Sequence, residues 1–247
     1  MNSVSILGVR VDDVTYAETL DLVAAYVAAR APRQVATVNP EFIVAAQSDA
    51  VFRDILNRAA LNLPDGVGVL WAARRLGQPL RERVAGVDVT ERIAQRASRE
   101  GWRIFLLGAA EGVAQRVAEA WRARYPGIDL VGAYAGSPRA EEEEAIVGRI
   151  RMAQPDVLFV AYGAPAQDKW IARNLQRLGV PVCIGVGGAF DFIAGVTRRA
   201  PRLMQRLGLE WLHRLIRQPW RWRRMLALPR FAWQVRASRP APPGRKS

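Results

Sequence analysis

The sequence predicts an α/β fold: a mostly parallel sheet flanked by helices, followed by a basic helical C-terminal appendage. Three observations carry this. Short β-like apolar runs alternate with helical patterns through the first two-thirds of the chain, the signature of βαβ units. Half of the 247 residues are hydrophobic, enough to bury a sizeable core. The formal charge of +13 is confined to the end: residues 1–195 carry 22 basic and 22 acidic residues, whereas residues 196–247 carry 14 basic residues and one acid, Glu210. The predicted organisation is an α/β core over 1–195, a basic amphipathic appendage over 196–237 and a disordered end over 238–247.

Six strands are expected, at Ser5–Val9, Gln34–Val38, Arg103–Leu107, Asp129–Ala133, Val157–Ala161 and Val182–Val186. Between them, Ala17–Arg30 places Leu20, Ala24 and Val27 on one helical face, and Phe42–Leu56 repeats apolar residues at intervals of three and four. Val69–Leu76 is a further helical run. Glu111–Arg124 ends before Tyr125-Pro126-Gly127, a stop signal. Ala140–Met152 opens on glutamates, which favour a helix N-terminus.

Composition narrows the function classes. A single cysteine (Cys183) excludes a disulfide framework, and a single histidine (His213) excludes His-rich zinc sites; because that histidine lies in the tail, no Ser/His/Asp set is expected. The N-terminus lacks a basic region followed by a long apolar run, and no stretch of 18 apolar residues occurs, so the expectation is a cytosolic protein without a signal peptide or spanning helix. In the tail, Leu203, Leu207, Trp211 and Leu215 recur every four residues among arginines, and Trp220 and Trp222 follow Pro219. Such a basic amphipathic segment suits an anionic membrane surface. The alternative is a helical pair that packs its apolar face on the core, and the two readings are compatible. Nucleic acid is a third reading, disfavoured because nothing resembles a nucleic-acid module and the charge is confined to a helical tail.

Ligands of open parallel sheets bind beyond the carboxyl ends of the strands, and several polar residues fall there. Thr37 and Asn39 follow the second strand and could hydrogen-bond a ligand; Asn39-Pro40 could equally end a strand and cap a helix. Asp65, between Pro64 and Gly66, reads either as a helix cap in a turn or as a carboxylate free to act as general base. Arg83 is a candidate diphosphate partner. Gly108 to Gly112 forms a plausible phosphate cradle, but neither it nor Gly185-Val-Gly187-Gly188 matches the dinucleotide or P-loop fingerprints. Tyr162 to Trp170, including Gly163 and Gln167, reads as a polar loop at a buried site. No Asp-x-Asp pair is present to hold a divalent metal on a diphosphate, so no metal and no cofactor are expected.

Taken together, Thr37-Val-Asn39-Pro40-Glu41-Phe42, Pro64-Asp65-Gly66-Val67-Gly68-Val69, Arg83-Val-Ala-Gly86, Gly163-Ala-Pro165-Ala-Gln167-Asp-Lys-Trp170 and Gly185-Val-Gly-Gly-Ala-Phe-Asp191 resemble, in order, the motifs of the WecG/TagA/CpsF glycosyltransferase family. Arg198-Arg-Ala-Pro201 and Gly208-Leu-Glu210-Trp211 also fit, so the resemblance spans roughly 5–235. One departure is Asp168-Lys169, where the family commonly has Glu and a variable residue. The resemblance implies a Rossmann-like core, a C-terminal appendage that completes the site at the membrane, and inverting, metal-independent transfer. The implied donor is a UDP-sugar of the N-acetylmannosamine type, and the implied acceptor an undecaprenyl-diphosphate-linked GlcNAc of cell-surface polysaccharide synthesis. By position it makes Asp65 the catalytic base and Thr37, Asn39, Arg83 and Gln167 pocket residues. Gly108, Gly163 and Gly187 join the binding set, and Arg214, Arg221 and Arg224 of the appendage meet the diphosphates. It also implies peripheral attachment to the inner face of the cell membrane, and self-association into a homo-oligomer.

Overall fold

The chain opens with an antiparallel hairpin, β1 (Ser3–Ile6) and β2 (Val9–Asp12), where the sequence suggested one strand over Ser5–Val9. The turn is made by Leu7 and Gly8, both at positive φ, as a two-residue hairpin turn requires. Thr15 then starts α1 (Tyr16–Ala29) with a capping box, its hydroxyl accepting from the Glu18 N–H while Glu18 reaches back. The computed structural model describes residues 1–201, 204, 210–217, 219 and 222–238, with 214, 223 and 224 described by backbone alone.

A six-stranded sheet follows: β3 (Arg33–Val38), β4 (Leu61–Pro64), β5 (Arg103–Gly108), β6 (Asp129–Tyr134), β7 (Val157–Ala161) and β8 (Val182–Gly185). The order is β4-β3-β8-β7-β5-β6, and every neighbouring pair is parallel. β7 and β8, central in that order, are buried along their whole length, which is why they read as unbroken apolar runs. Alternation along β5 splits its side chains: Ile104 and Leu106 enter one core, Phe105 and Leu107 the other.

Helices cover both faces. On one lie α1, α5 (Gly86–Glu100), α6 (Val113–Arg124) and the short α9 (Ala189–Ile193), enclosing a core that includes Val23, Val89, Ile93, Trp121 and Phe159. On the other lie α2 (Pro40–Ser48), α3 (Ala50–Arg58), α7 (Ala140–Ala153) and α8 (Ala166–Leu178). The predicted Phe42–Leu56 helix is two helices, because Asp49 ends α2 and caps α3, its Oδ1 accepting from the Phe52 N–H at 3.0 Å. Beside α2 stands α4 (Val67–Arg75).

The C-terminal elements are α10 (Glu210–Arg217), α11 (Trp222–Met225) and α12 (Ala227–Ala237). α12 packs on α2 and α4, burying Phe231 and Val235 in the same core as Phe42 and Val69. Phe231 meets Trp71 edge-on, with ring centroids 6.4 Å apart. The end of the predicted appendage is therefore built into the body. Val196, Trp211, Ile216, Trp222, Leu226 and Trp233 remain exposed. Among the described residues no helix is long and apolar enough to cross a membrane. Of the expected disordered end, 238–247, Ser238 is hydrogen-bonded to the Gln234 and Val235 carbonyls, and the rest, like the apolar residues Leu203, Leu207 and Trp220, lies outside the described residues.

Candidate active site

The carboxyl ends of β3, β4, β5, β7 and β8 converge on one rim, where the switch between adjacent crossovers leaves a crevice. Two cavities open there. The inner one, about 380 Å³, is lined by the strand-end segments, including Thr37, Ala110, Tyr162, Gly163, Gln167 and Gly187. The outer one, about 200 Å³, is lined by Arg83 and Gly68 on the body, by Trp211 of α10 and Met225 of α11, and by Leu228 of α12. Asn39, Glu41, Asp65, Gly86, Val87 and Phe192 belong to both.

Asp65 stands at this shared wall. It extends β4 by one residue: its N–H donates to the Val38 carbonyl at 2.9 Å. It does not cap α4; the residue in that place is Gly66, which has no side chain to bond with. Instead Asp65 Oδ2 accepts from the N–H of Gly86, the first residue of α5, at 3.3 Å. A helix N-terminus favours an anion, yet burial outweighs it and pushes the carboxyl up to about 6. The Gly86 N–H and the Arg83 charge hold it down, while Glu210 and Asp88 add to the rise. A carboxyl poised near 6 is mostly ionised at neutral pH and still basic enough to take a proton.

Around it, the sequence-predicted residues take distinct places. Thr37 is buried, and its hydroxyl donates to the Gly185 carbonyl at 3.2 Å, tying β3 to β8 beneath the inner cavity. Asn39 caps α2, its Oδ1 accepting from the Phe42 N–H at 3.1 Å, while it also lines both cavities; the capping and pocket readings hold together. Arg83 is half-buried on the outer wall beside Asp65.

Gln167 is fully buried in the first turn of α8, which replaces most of the loop expected over Tyr162 to Trp170. Its Oε1 accepts from the N–H groups of Gly163 at 3.1 Å and Gly187 at 2.9 Å. Its amide thus clasps the two glycine turns that form the floor of the inner cavity. Gly108 stands behind the wall: a Cβ there would lie 2.8 Å from the Ala161 carbonyl carbon, and it is Ala109 and Ala110 that line the cavity. A glycine here permits the close strand packing.

Asp168 is fully buried, so the acid at this departure from the family pattern is no surface charge. Arg221 lies outside the described residues, as do the side chains of Arg214 and Arg224. Sequence reasoning missed Arg199, which lines the outer cavity and pairs with Asp88 and Glu210. It also missed Phe192, shared by both cavities. Arg198-Arg199 was visible as part of a tail segment that fits the family, but nothing in a basic tail singled out Arg199 for the site. Among the described residues no group of three or more His, Cys, Asp or Glu side chains is placed to hold a metal ion.

The model of the glycosyl transferase WecG/TagA/CpsF family matches residues 4–243. The chain belongs to this family. This glycosyl transferase is 39% identical over 201 residues to a Bacillus subtilis (strain 168) protein, covering 81% of this chain and 78% of that one. It is 34% identical over 201 residues to a Bacillus spizizenii protein (81% and 77% covered) and 31% identical over 234 residues to one from Staphylococcus aureus (strain MW2; 94% and 91%). All three relatives are named N-acetylglucosaminyldiphosphoundecaprenol N-acetyl-beta-D-mannosaminyltransferase.

Proposed function

We propose that this transferase moves an N-acetylmannosamine-type sugar from a UDP-sugar to a polyprenyl-diphosphate-linked GlcNAc, with inversion and with Asp65 as general base. The observation that carries the reading is one raised carboxyl in the wall shared by two cavities, one at the strand ends and one under the C-terminal helices. Such an arrangement suits a donor in the inner cavity and an acceptor in the outer one, with the base between them.

The chemistry then follows. Asp65 takes the proton from the acceptor hydroxyl as that oxygen attacks the anomeric carbon on the face opposite the diphosphate. The bond from carbon to the diphosphate oxygen breaks, and UDP leaves with the electron pair. Proton removal by a positioned base contributes about 10²–10⁴-fold. The leaving charge needs fixed positive dipoles, a role that suits the N-termini of α6 and α8, whose preceding segments line the inner cavity. Gln167 fixes the turn ahead of α8 at Gly163 and the one ahead of α9 at Gly187. Thr37, Asn39 and Arg83 are the pocket side chains, and Arg214, Arg221 and Arg224 meet the diphosphates. The exposed apolar residues Trp211, Ile216, Trp222, Leu226 and Trp233, interleaved with arginines, support docking on an anionic membrane surface.

The test is UDP release from a panel of UDP-sugars with a short-chain polyprenyl-diphosphate GlcNAc, with EDTA present and with Asp65→Asn as control. EDTA-resistant release from one donor, lost by 10²-fold or more in Asp65→Asn, is the expected result. Release that persists in the variant would remove Asp65 as base, and loss on EDTA would remove metal independence.

A further inference from the structure

Arg199 lies on the segment between α9 and α10, and its guanidinium joins carboxylates from two separate parts of the fold. Nη1 and Nη2 reach the two oxygens of Asp88, in the first turn of α5, the second contact at 3.4 Å. Nε reaches Glu210 Oε1, at the start of α10, at 3.3 Å. All three side chains are between a quarter and a third exposed, so the ion pairs are partly withdrawn from water. The chain of contacts continues inward. Tyr16 Oη donates to Asp88 Oδ2 at 3.4 Å and accepts from the Ala85 N–H at 2.8 Å. Ala85 directly precedes Gly86, the donor to Asp65.

Consider what surrounds Asp65. Arg83 faces it from the segment ahead of α5, Asp88 from α5, Tyr16 from α1, Glu41 from α2 and Glu210 from α10. Two of these carboxylates are held by one guanidinium. Remove it, and two uncompensated negative charges flank a base that must itself be ionised to work, while α10 loses its ion pair to α5. Like charges nearby raise a carboxyl's proton affinity.

We propose that Arg199 is a positioning residue that latches α10 onto the first turn of α5, closing the outer cavity beside Asp65 and neutralising Asp88 and Glu210 there. The electrostatic half rests on the reading of Asp65 as base; the latch does not.

The full chain is compared with Arg199→Met, Arg199→Lys and Arg199→Met/Glu210→Gln, measuring kcat/KM from pH 5 to 9 and amide hydrogen exchange. In Arg199→Met the acidic limb of the profile moves up by about one pH unit, so the loss relative to wild type is about fivefold at pH 6, approaches tenfold at pH 5 and shrinks toward pH 9. Arg199→Lys, which keeps the charge, stays near the wild-type limb, and removing the Glu210 charge as well brings the limb back down. Amides of 210–217 exchange faster in Arg199→Met. A loss constant at every pH, or an unmoved limb, overturns the electrostatic half, and unchanged exchange in 210–217 overturns the latch. Undiminished turnover in Asp65→Asn would overturn the base reading and the electrostatic half with it, while the exchange result still decides the latch.

Discussion

Asp168 is a carboxyl in the wrong solvent. It has no exposed surface, and only the neighbouring Gln167 amide and its own N–H offset the burial of its oxygens. It and the Gln167 Nε2 converge on the bare Cα of Gly185, where a Cβ would lie 2.6 Å from that nitrogen and 3.0 Å from Asp168 Oδ1. Burial therefore pushes the carboxyl from its ordinary 3.8 to about 7. A group that holds its proton more tightly when folded makes stability fall as pH rises from the unfolded value toward the folded one. At 1.36 kcal/mol per unit, a rise of about three units is worth about 4 kcal/mol between pH 4 and pH 7. Asp168→Asn removes the ionisation. Its extra N–H without a partner subtracts a pH-independent ~1–3 kcal/mol, so the slope is the signal and not the offset. Asp65 titrates in both proteins and cancels. Urea unfolding at pH 4.5, 6 and 7.5 reads it directly, given equal m-values: the variant gains on wild type by several kcal/mol as pH rises. Parallel curves would refute the reasoning, since they would mean that Asp168 finds a further partner or water in the folded state.

Three further outcomes are expected. The kcat/KM profile has an acidic limb near pH 6, not near 4, because the proposed base, Asp65, would have to be ionised and its folded-state value is raised to about 6; a limb near 4 would mean a solvated carboxyl. Gly185→Ala drives a methyl against the clasping Gln167 amide, so it loses about 1–3 kcal/mol in thermal unfolding and raises the donor KM as the glycine turns shift. Phe231→Ala, although it lies in the basic tail, loses about 3–5 kcal/mol in urea unfolding because its ring is 2% exposed against α2 and α4.

Much of the fold was legible because the inner strands of the sheet are buried on both faces. β3, β5, β6, β7 and β8 all stand within a residue or two of the apolar runs that announce them. β4 was not legible: four residues long, it holds Asn62 and ends at Pro64, and neither residue suits a strand on propensity. Asn62 is tolerated because its amide nitrogen donates to the Arg10 and Leu56 carbonyls, partners supplied by tertiary structure. α5 and α8 were not legible either. Neither has a side-chain cap, a lack they share with α4, α6 and α7, and the repeat of Val89, Ile93 and Ala97 at helical spacing in α5 is a signal that sequence reasoning missed. In the site, Asp65 and Asn39 were visible as residue types at strand ends. The clasp of Gln167 on Gly187 and the hold of Arg199 on Asp88 were not, because they join residues 20 and 111 positions apart.

The tail's two expected uses, packing on the core and meeting a membrane, are not alternatives in this architecture. α12 gives Phe231 and Val235 to the core while Trp233 on the same helix is 70% exposed. Helical spacing makes this possible, since residues two apart point to different sides while 231 and 235 share one. The same division extends to the outer cavity, which receives Leu228 from α12, Met225 from α11 and Trp211 from α10. Removing residues 196–247 would therefore strip a wall from the active site and two buried side chains from the core at once. A truncation that loses activity would not by itself separate membrane docking from folding, whereas Trp233→Ala would, because its side chain is largely in water and its loss leaves Phe231 in place.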